Sequence, residues 1–303
     1  MKILITGGTG FIGSALTRSL VAQAHQVTVL TRSPAKAAGI FGDTVKTLSG
    51  FEQLSAADHY DVVINLAGAP IFAACWTPSR KQVLLDSRIG LTDMLVKSLA
   101  LMTIKPSLLI SGSAIGFYGD QGDAVLTEQA IARDDFAHRL CRDWENSALQ
   151  AEQYGIRVCL IRTGLVLGQG GGILQNMLLP FRLGLGGRLG QGRQWMSWIH
   201  RQDWLAIAHV MIADNSMRGA YNATAPAPVT NAEFTQTLAA CLKRPAMLPV
   251  PARVLKWALG EMSELVLGSQ RVVPQRLIEQ GFTFAYPELK PALTQILSEP
   301  VVR

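Results

Sequence analysis

Residues 2–13 read KILITGGTGFIG, and this stretch decides the fold. It begins with a short apolar run of the kind found in buried parallel strands. The glycines that follow have the spacing G-x-x-G-x-x-G and lead into residues 11–23, where apolar side chains recur with helical periodicity. A strand, a glycine-rich turn and a helix in this order predict the first unit of a doubly wound α/β domain.

The glycine-rich turn has the features of a site for a diphosphate. Gly7 permits the tight turn, Gly10 lets the backbone approach a pyrophosphate, and Gly13 allows the helix to pack closely on the strand. Free N–H groups and the positive end of the helix dipole then favour an anion. The residues expected to contact a dinucleotide here are Gly7, Thr9, Gly10, Phe11, Ile12 and Gly13.

Apolar runs and helical patterns alternate through most of the remaining chain. Strand–helix alternation implies right-handed crossovers and a parallel sheet covered by helices on both faces. The predicted fold class is therefore α/β, a doubly wound parallel sheet (Rossmann) with a small, mainly helical C-terminal domain. Further strands are expected at residues 27–30, 61–66, 107–111 and 158–162, and further helices at residues 79–101, 134–153 and 231–242.

The chain changes character between Gly164 and Gly192, where ten glycines occur. Such a segment is mobile or makes close backbone contacts, and we predict that residues 168–192 form a lid that a ligand orders. The predicted organisation is a nucleotide-binding Rossmann domain, residues 1–225, that carries an inserted substrate loop, residues 164–200. Residues 226–303 are predicted to form a small C-terminal domain that closes the cleft.

Composition excludes several classes of protein. The chain has 303 residues, of which 49% are hydrophobic and 17% charged, so it can bury a core and is not disordered. No apolar run approaches the ~18 residues of a membrane span, and the N-terminus does not resemble a signal peptide. The four cysteines contain no CxxC pair, and no metal-ligand spacing occurs, so we predict no metal site and a reduced, cytoplasmic protein.

The charge balance is basic but diffuse. The formal net charge is +6, and the basic residues are dispersed rather than gathered in a run. This pattern is typical of a solvated surface with a small positive excess, and a phosphate-bearing ligand is the better-motivated alternative. We expect a small-molecule substrate as the partner and no nucleic acid or membrane. The sequence leaves a homodimer open.

The residues after the second predicted strand indicate the cofactor. An NAD site normally offers an acid about 20 residues past the glycine motif, where it binds the ribose 2′-hydroxyl. No acid occurs between Gly13 and Asp43, and Arg32 with Ser33 takes that place. Because a guanidinium pairs with a 2′-phosphate, we predict NADP(H). The alternative is an arginine on a surface turn.

Three motifs resemble the extended short-chain dehydrogenase/reductase superfamily, which includes NAD-dependent epimerases and dehydratases. They are TGGTGFIG at 6–13, NLAG at 65–68 and SGS at 111–113. Further stretches are similar to an atypical YfcH-type branch with a small C-terminal domain, and the resemblance spans nearly the whole chain. It implies a Rossmann core, bound NADP(H) and no settled substrate. These stretches are DSRI at 86–89, SAIGFYG at 113–119, CRDWE at 141–145, RTGLVLG at 162–168, QWMSWIH at 194–200, RVVP at 271–274 and GF at 281–282.

The resemblance also implies catalytic roles, and here the chain departs from the superfamily. Ser113 matches the serine that hydrogen-bonds the reacting oxygen. The resemblance also implies a tyrosine acid and, one helical turn later, a lysine that lowers the pKa of the tyrosine and holds the nicotinamide ribose. Alignment on residues 144–145 places the tyrosine position near Ala137 and the lysine position near Cys141, and neither residue type is present. We predict Tyr118 as a substitute acid; the alternative is a tyrosine packed under its loop with its hydroxyl hydrogen-bonded.

Further cofactor contacts are expected at the carboxyl ends of the strands, where doubly wound sheets bind ligands. Arg88 is expected to contact a phosphate or ribose, or else to form a salt bridge with an acid such as Asp86. Arg162 is expected to border the nicotinamide pocket. The complete set of these further contacts is Leu66, Ala67, Gly68, Arg88, Ser111 and Arg162.

Residues 190–200 combine a cation, amides, aromatic rings and a histidine. We predict that they form a wall on the substrate side of the cleft. The alternative places Trp198 and Ile199 in the core, with His200 capping a turn.

These features predict an NADP(H)-binding oxidoreductase or epimerase that acts on a small carbonyl or hydroxyl substrate without the usual Tyr–Lys pair. The alternative is a catalytically silent NADP(H)-binding protein with a regulatory or interaction role.

Overall fold

A seven-stranded parallel sheet forms the centre of the computed structural model, which describes residues 1–299. The strands that form it are β1 (Lys2–Thr6), β2 (Gln26–Leu30), β3 (Lys46–Leu48), β4 (Val62–Asn65), β5 (Leu108–Ala114), β7 (Arg157–Thr163) and β11 (Gly219–Ala223). Their spatial order is β11-β7-β5-β4-β1-β2-β3, and every neighbouring pair is parallel. The predicted doubly wound fold is confirmed.

Helices cover both faces of the sheet, as the apolar strand patterns require. They are α1 (Phe11–Ala22), α2 (Pro34–Phe41), α3 (Pro78–Leu85), α4 (Leu91–Leu101), α5 (Phe136–Leu149), α6 (Gly172–Arg182), α7 (Arg201–Ala213), α8 (Asn231–Leu242), α9 (Ala252–Leu259), α10 (Glu264–Leu267), α11 (Gln275–Glu279) and α12 (Leu289–Ser298). None of these helices, within residues 1–299, combines the length and apolar character needed to cross a membrane.

Alternate residues of the first strand show how the two faces are filled. Ile3 and Ile5 are buried in the core that includes α1, α2 and α7, whereas Leu4 is buried in the opposite core, with α4 and α5. Such alternation follows from the two-residue period of a strand. Because helices cover both faces of the sheet, a ligand can lie at the carboxyl ends of the strands. We call this end of the sheet the open edge.

A third core joins the glycine-rich segment to the C-terminal region. Leu174 and Phe181 of α6 pack with Phe234 of α8 and Leu293 of α12. The lid predicted at residues 168–192 therefore contains a helix anchored by buried apolar side chains. The helix was not predicted because the glycines at its ends dominate the composition of this stretch.

Short strand pairs join loops outside the central sheet, and two of the three pairs include C-terminal residues. They are β6 (Val125–Leu126) with β13 (Arg271–Val272), β8 (Leu165–Leu167) with β10 (Trp198–His200), and β9 (Trp195–Met196) with β12 (Val229–Thr230). The first and second pairs are parallel, and the third is antiparallel.

The helix predicted over residues 79–101 is interrupted. Helices α3 and α4 are joined by a π-helical turn, Asp86–Gly90. Such a turn widens the helix by one residue and is frequent at functional sites. Periodicity could not predict it, because the apolar pattern continues across the insertion.

Candidate functional site

The glycine-rich turn is closed against the loop that follows β4. Gly7 has a φ of +71°, and a Cβ atom added there would lie 2.5 Å from the carbonyl carbon of Leu66. A Cβ added at Gly13 would lie 2.2 Å from the carbonyl oxygen of Gly7. No side chain larger than hydrogen fits at either position without moving the backbone. Helix α1 therefore begins directly at the turn, with Gly10 as its exposed N-cap.

A buried polar network holds this turn in register with the neighbouring strands. The Thr6 hydroxyl donates to Asn65 Oδ1 at 2.6 Å, and the Asn65 amide donates to the hydroxyls of Thr92 at 2.8 Å and Ser111 at 3.3 Å. Trp144 Nε1 also donates to Thr92 Oγ1. The network joins β1, β4 and β5 to α4 and α5, so it fixes the floor of the open edge.

Arg32 and Ser33 lie at the end of β2, beside the turn. Both residues are exposed, and the Arg32 guanidinium makes no hydrogen bond or ion pair within residues 1–299. Ser33 precedes α2, and its hydroxyl does not cap that helix. This placement leaves a cation and a hydroxyl free to bind an anion.

Ser113 begins a chain of buried polar side chains under the open edge. Its hydroxyl donates to Glu145 Oε1 at 2.6 Å. The same carboxylate accepts two hydrogen bonds from Arg162, each of 2.8 Å, in a bidentate pair. Burial acts to lower the pKa of Arg162, but the hydrogen bonds to Glu145, the Glu145 charge and the contact with Tyr118 together outweigh burial and raise that pKa.

Tyr118 continues this chain rather than facing a ligand. Its side chain is fully buried, and its hydroxyl donates to Asn222 Oδ1 at 2.7 Å and accepts from Arg162 at 3.1 Å. Burial raises the pKa of Tyr118, although the Arg162 charge opposes this effect. This matches the alternative stated above, a tyrosine packed under its loop with its hydroxyl hydrogen-bonded, and it disfavours Tyr118 as the proton donor.

A cavity of about 420 Å³ lies between the loop after β5, the start of α5 and the C-terminal region. Ala137 of α5 and Asp135, the N-cap of that helix, line it on one side, and Lys256, Glu264 and Gln270 line it from the C-terminal residues. Its lining mixes charged, polar and apolar residues, and it has room for ordered water.

The family model for the NAD dependent epimerase/dehydratase family matches residues 3–223. The chain belongs to this family. A second model, for a domain of unknown function, matches residues 250–296. The resemblance to extended short-chain dehydrogenases/reductases is thereby confirmed.

Members of the epimerase/dehydratase family from distant organisms match nearly the whole chain. The epimerase family protein YfhF of Bacillus subtilis is 39% identical over 301 residues, which is 99% of this chain and 99% of that protein. The chloroplastic SDR39U1 homolog of Arabidopsis thaliana is 39% identical and covers 98% of this chain and 87% of that protein. The crystal structure of human SDR39U1 isoform 2 with NADPH has a TM-score of 0.88 at 35% identity, covering 98% of this chain and 99% of that chain.

Solved epimerase structures at lower identity show a likeness of fold alone. A UDP-glucuronic acid 4-epimerase mutant from Bacillus cereus, crystallised with NAD and a UDP-sugar analogue, has a TM-score of 0.78 at 16% identity, covering 98% of each chain.

Helix α5 carries Ala137 and Cys141 at the two positions where the superfamily resemblance implies tyrosine and lysine. Ala137 lines the cavity, so the expected acid is replaced by a methyl group beside open space. Cys141 is buried, and burial raises the pKa of its thiol to about 12, with the Glu145 charge adding to the effect. Neither residue supplies a proton donor or a cation near neutral pH.

The buried thiols are expected to resist alkylation. At pH 8, iodoacetamide should label the exposed Cys75 and spare Cys141 and Cys159, because burial raises their pKa values to about 12 and about 11. Peptide mass mapping of the native protein measures this, and the same reaction in denaturant, which should label all the cysteines, is the control. Labelling of Cys141 as fast as Cys75 would contradict the burial described.

The structure encloses three of the side chains predicted for the site, two for the cofactor and one for catalysis. Ser111 and Arg162 are buried and committed to Asn65 and Glu145, so we do not expect either side chain to touch a cofactor, and Tyr118 is likewise enclosed. The other predicted residues lie in the glycine-rich turn and the start of α1, after β2, after β4 or in the π-helical turn, and they are Gly7, Thr9, Gly10, Phe11, Ile12, Gly13, Arg32, Ser33, Leu66, Ala67, Gly68 and Arg88.

Glu145, the partner of both Ser113 and Arg162, was not predicted from the sequence. One signal could have found it. A carboxylate four residues after Cys141 lies on the apolar face of the predicted helix, and an acid in such a position needs a buried cation.

The substrate-side wall predicted at residues 190–200 is wrong for its last three residues. Trp198 and Ile199 are fully buried core residues. His200 Nδ1 accepts a hydrogen bond from the Gln202 N–H and caps α7, while Nε2 lies 2.9 Å from Gln295 Oε1. Burial lowers the pKa of His200. Trp198 packs in the third core and Ile199 in the core that includes α1, α2 and α7, so neither side chain faces a ligand.

Proposed function

We propose that this chain binds NADP(H) across the carboxyl ends of β1, β2, β4 and β5. The observation that carries the proposal is the turn in which Gly7 and Gly13 leave no space for a Cβ atom. This close packing keeps the first N–H groups of α1 pointing at the open edge, where a diphosphate can accept hydrogen bonds. The NADPH complex of the human relative supports this cofactor for the present chain.

Arg32 and Ser33 are proposed to select the phosphorylated ribose. We expect Arg32→Ala to weaken NADPH binding about 10- to 100-fold, because a charge-assisted hydrogen bond to phosphate is lost. NADH affinity should change less than about threefold. Isothermal titration calorimetry with both cofactors measures the difference, and Lys36→Ala, which removes another exposed cation on α2, is the matched control. An equal loss for NADPH and NADH would contradict the assignment of Arg32.

The proposed reaction is hydride transfer to or from a small substrate with a carbonyl or hydroxyl group. Bound NADP(H) supplies or accepts the hydride. Ser113 is proposed to orient the substrate oxygen. Because its own hydrogen is donated to Glu145, its oxygen is free to accept a hydrogen bond from a substrate hydroxyl. Since Tyr118 is enclosed, water in the cavity beside Ala137 is proposed to carry the proton.

A second candidate function is a catalytically silent NADP(H)-binding protein with a regulatory or interaction role. Ala137 and Cys141 favour it, because neither can act as an acid or hold a cation near the reacting atoms. Under this function, Ser113 has only its structural bond to Glu145.

A panel of quinones, aldehydes and nucleotide sugars distinguishes the two functions. Absorbance at 340 nm follows NADPH oxidation, and calorimetry confirms binding in the same sample. Turnover with any substrate, reduced by Ser113→Ala, supports the enzyme. A silent panel with NADPH still bound supports the second function, and failure to bind either pyridine nucleotide refutes both.

We further propose a cytoplasmic location and keep a homodimer open. The nucleotide-binding domain, residues 1–225, with its substrate loop, residues 164–200, and the C-terminal domain, residues 226–303, remain our proposed division of the chain.

A further inference from the structure

Arg88 lies in the π-helical turn between α3 and α4 and faces the loop after β4. Its Nη2 donates to the Ala69 carbonyl oxygen at 3.1 Å. Its guanidinium carbon lies 3.1 Å from where a Cβ of Gly68 would be, and Gly68 is exposed. On the other side, the guanidinium lies 5.3 Å from the centre of the Trp144 ring. The π-helical turn thus aims a cation at the open edge of the sheet.

This cation has no counter-charge in the part of the chain that the structure describes. Residues 1–299 provide Arg88 with no ion pair, and Asp86, the acid nearby in sequence, accepts a hydrogen bond from Gln82 instead. Burial lowers the pKa of Arg88, and the charge of Arg80 lowers it further. The guanidinium meets only uncharged oxygens, the carbonyls of Leu84 and Ala69 and the Ser87 hydroxyl, and its Nε makes none of these bonds. It therefore retains a donor and its charge for a ligand.

The position of Arg88 along the sheet indicates which part of a dinucleotide it would meet. Strands β2 and β4 flank β1 on opposite sides, and neighbouring strands lie about 4.8 Å apart. Arg32 lies at the end of β2, whereas Gly68 and Arg88 lie at the end of β4. A diphosphate on the turn after β1 therefore directs the adenosine half toward Arg32 and the nicotinamide half toward Arg88.

Resting on the proposed function, we propose that Arg88 binds the ribose of the nicotinamide half and supplies the cation that α5 lacks. The neighbouring residue on α5 is Cys141, whose thiol stays neutral, and Arg88 lies over Trp144 on the same helix face. The guanidinium has the donors to hold vicinal ribose hydroxyls and so fix the nicotinamide ring beside Ser113.

A series of NADPH fragments tests this placement in one variant. The fragments are 2′-phosphoadenosine 5′-diphosphate, which ends at the diphosphate, and 2′-phospho-ADP-ribose, which adds the second ribose. For Arg88→Met we expect about 10- to 100-fold weaker binding of NADPH and of 2′-phospho-ADP-ribose, because hydrogen bonds from a charged group are lost. Affinity for the shorter fragment should stay within about twofold, and its binding also shows that the variant is folded.

Two further variants complete the experiment. Arg88→Lys keeps the charge but loses the forked donors, so an intermediate loss is expected. Arg80→Met is the matched control, because Arg80 also donates to a carbonyl of the same loop, that of Pro70, and its loss should leave all three affinities unchanged. Unchanged NADPH affinity in Arg88→Met, or an equal loss for the shorter fragment, overturns the proposal. Failure of the unmodified protein to bind NADPH refutes the proposed function itself.

Discussion

Gly13→Ala is expected to abolish tight NADPH binding, with a loss in affinity of about 100-fold or more. The added Cβ would lie 2.2 Å from the Gly7 carbonyl oxygen, well inside van der Waals contact, so α1 must move away from the turn. That movement displaces the N–H groups that the diphosphate needs. Each hydrogen bond to a charged group is worth about 1.5–3 kcal/mol, so the loss of two accounts for the expected effect.

Calorimetry with NADPH measures this effect, and Gly39→Ala is the control. Gly39 lies in α2 with nothing within 4 Å of its hypothetical Cβ, so alanine should leave binding unchanged and stabilise the helix by about 0.5–1 kcal/mol. NADPH affinity within threefold of the unmodified protein for Gly13→Ala would show that the turn is not the diphosphate site.

Arg162→Met is expected to destabilise the protein by about 3–5 kcal/mol. The variant leaves the Glu145 carboxylate buried without its bidentate partner and removes the donor to Tyr118. The free energy of unfolding from urea titrations measures the loss. The slope of the unfolding free energy against urea concentration should change little if the folded state stays compact.

The exposed pair of Arg139 with Asp134 provides a matched comparison. Arg139→Met should lower the free energy of unfolding by less than about 1 kcal/mol, because both side chains of the pair are solvated. The double variant Glu145→Met with Arg162→Met should recover part of the loss, since no unpaired charge remains in the core. If Arg162→Met lowers the free energy of unfolding no more than Arg139→Met does, the stabilising role of the buried pair is contradicted.

The fold was largely predictable because its first unit has strong local signals. The apolar run, the glycine spacing and the helical periodicity of residues 2–23 are all local, and they correspond to β1, the turn, α1 and its C-terminal end. Helix α6 was not predictable, because it lies among glycines and its apolar face is buried only by α8 and α12. Strand β11 was missed because its sequence, GAYNA, lacks an apolar run.

The candidate site was predictable where backbone geometry sets the residue type. Gly7 and Gly13 belong to a motif whose spacing follows from the turn itself. The partners of Ser113 and Tyr118 were not predictable in the same way. Ser113 meets Glu145 and Tyr118 meets Asn222 across separations of 32 and 104 residues, and only the topology of the sheet brings these side chains together.

The core shared by α6, α8 and α12 has a consequence for engineering. A chimera that exchanges only the residues after Ala225 between two relatives would pair a foreign C-terminal surface with the native Leu174 and Phe181. The packing of the exchanged piece would then be mismatched, although each parent sequence is intact on its own side of the junction. A successful exchange must transfer residues 165–198 together with the C-terminal residues, because these two separate stretches of chain pack into one core.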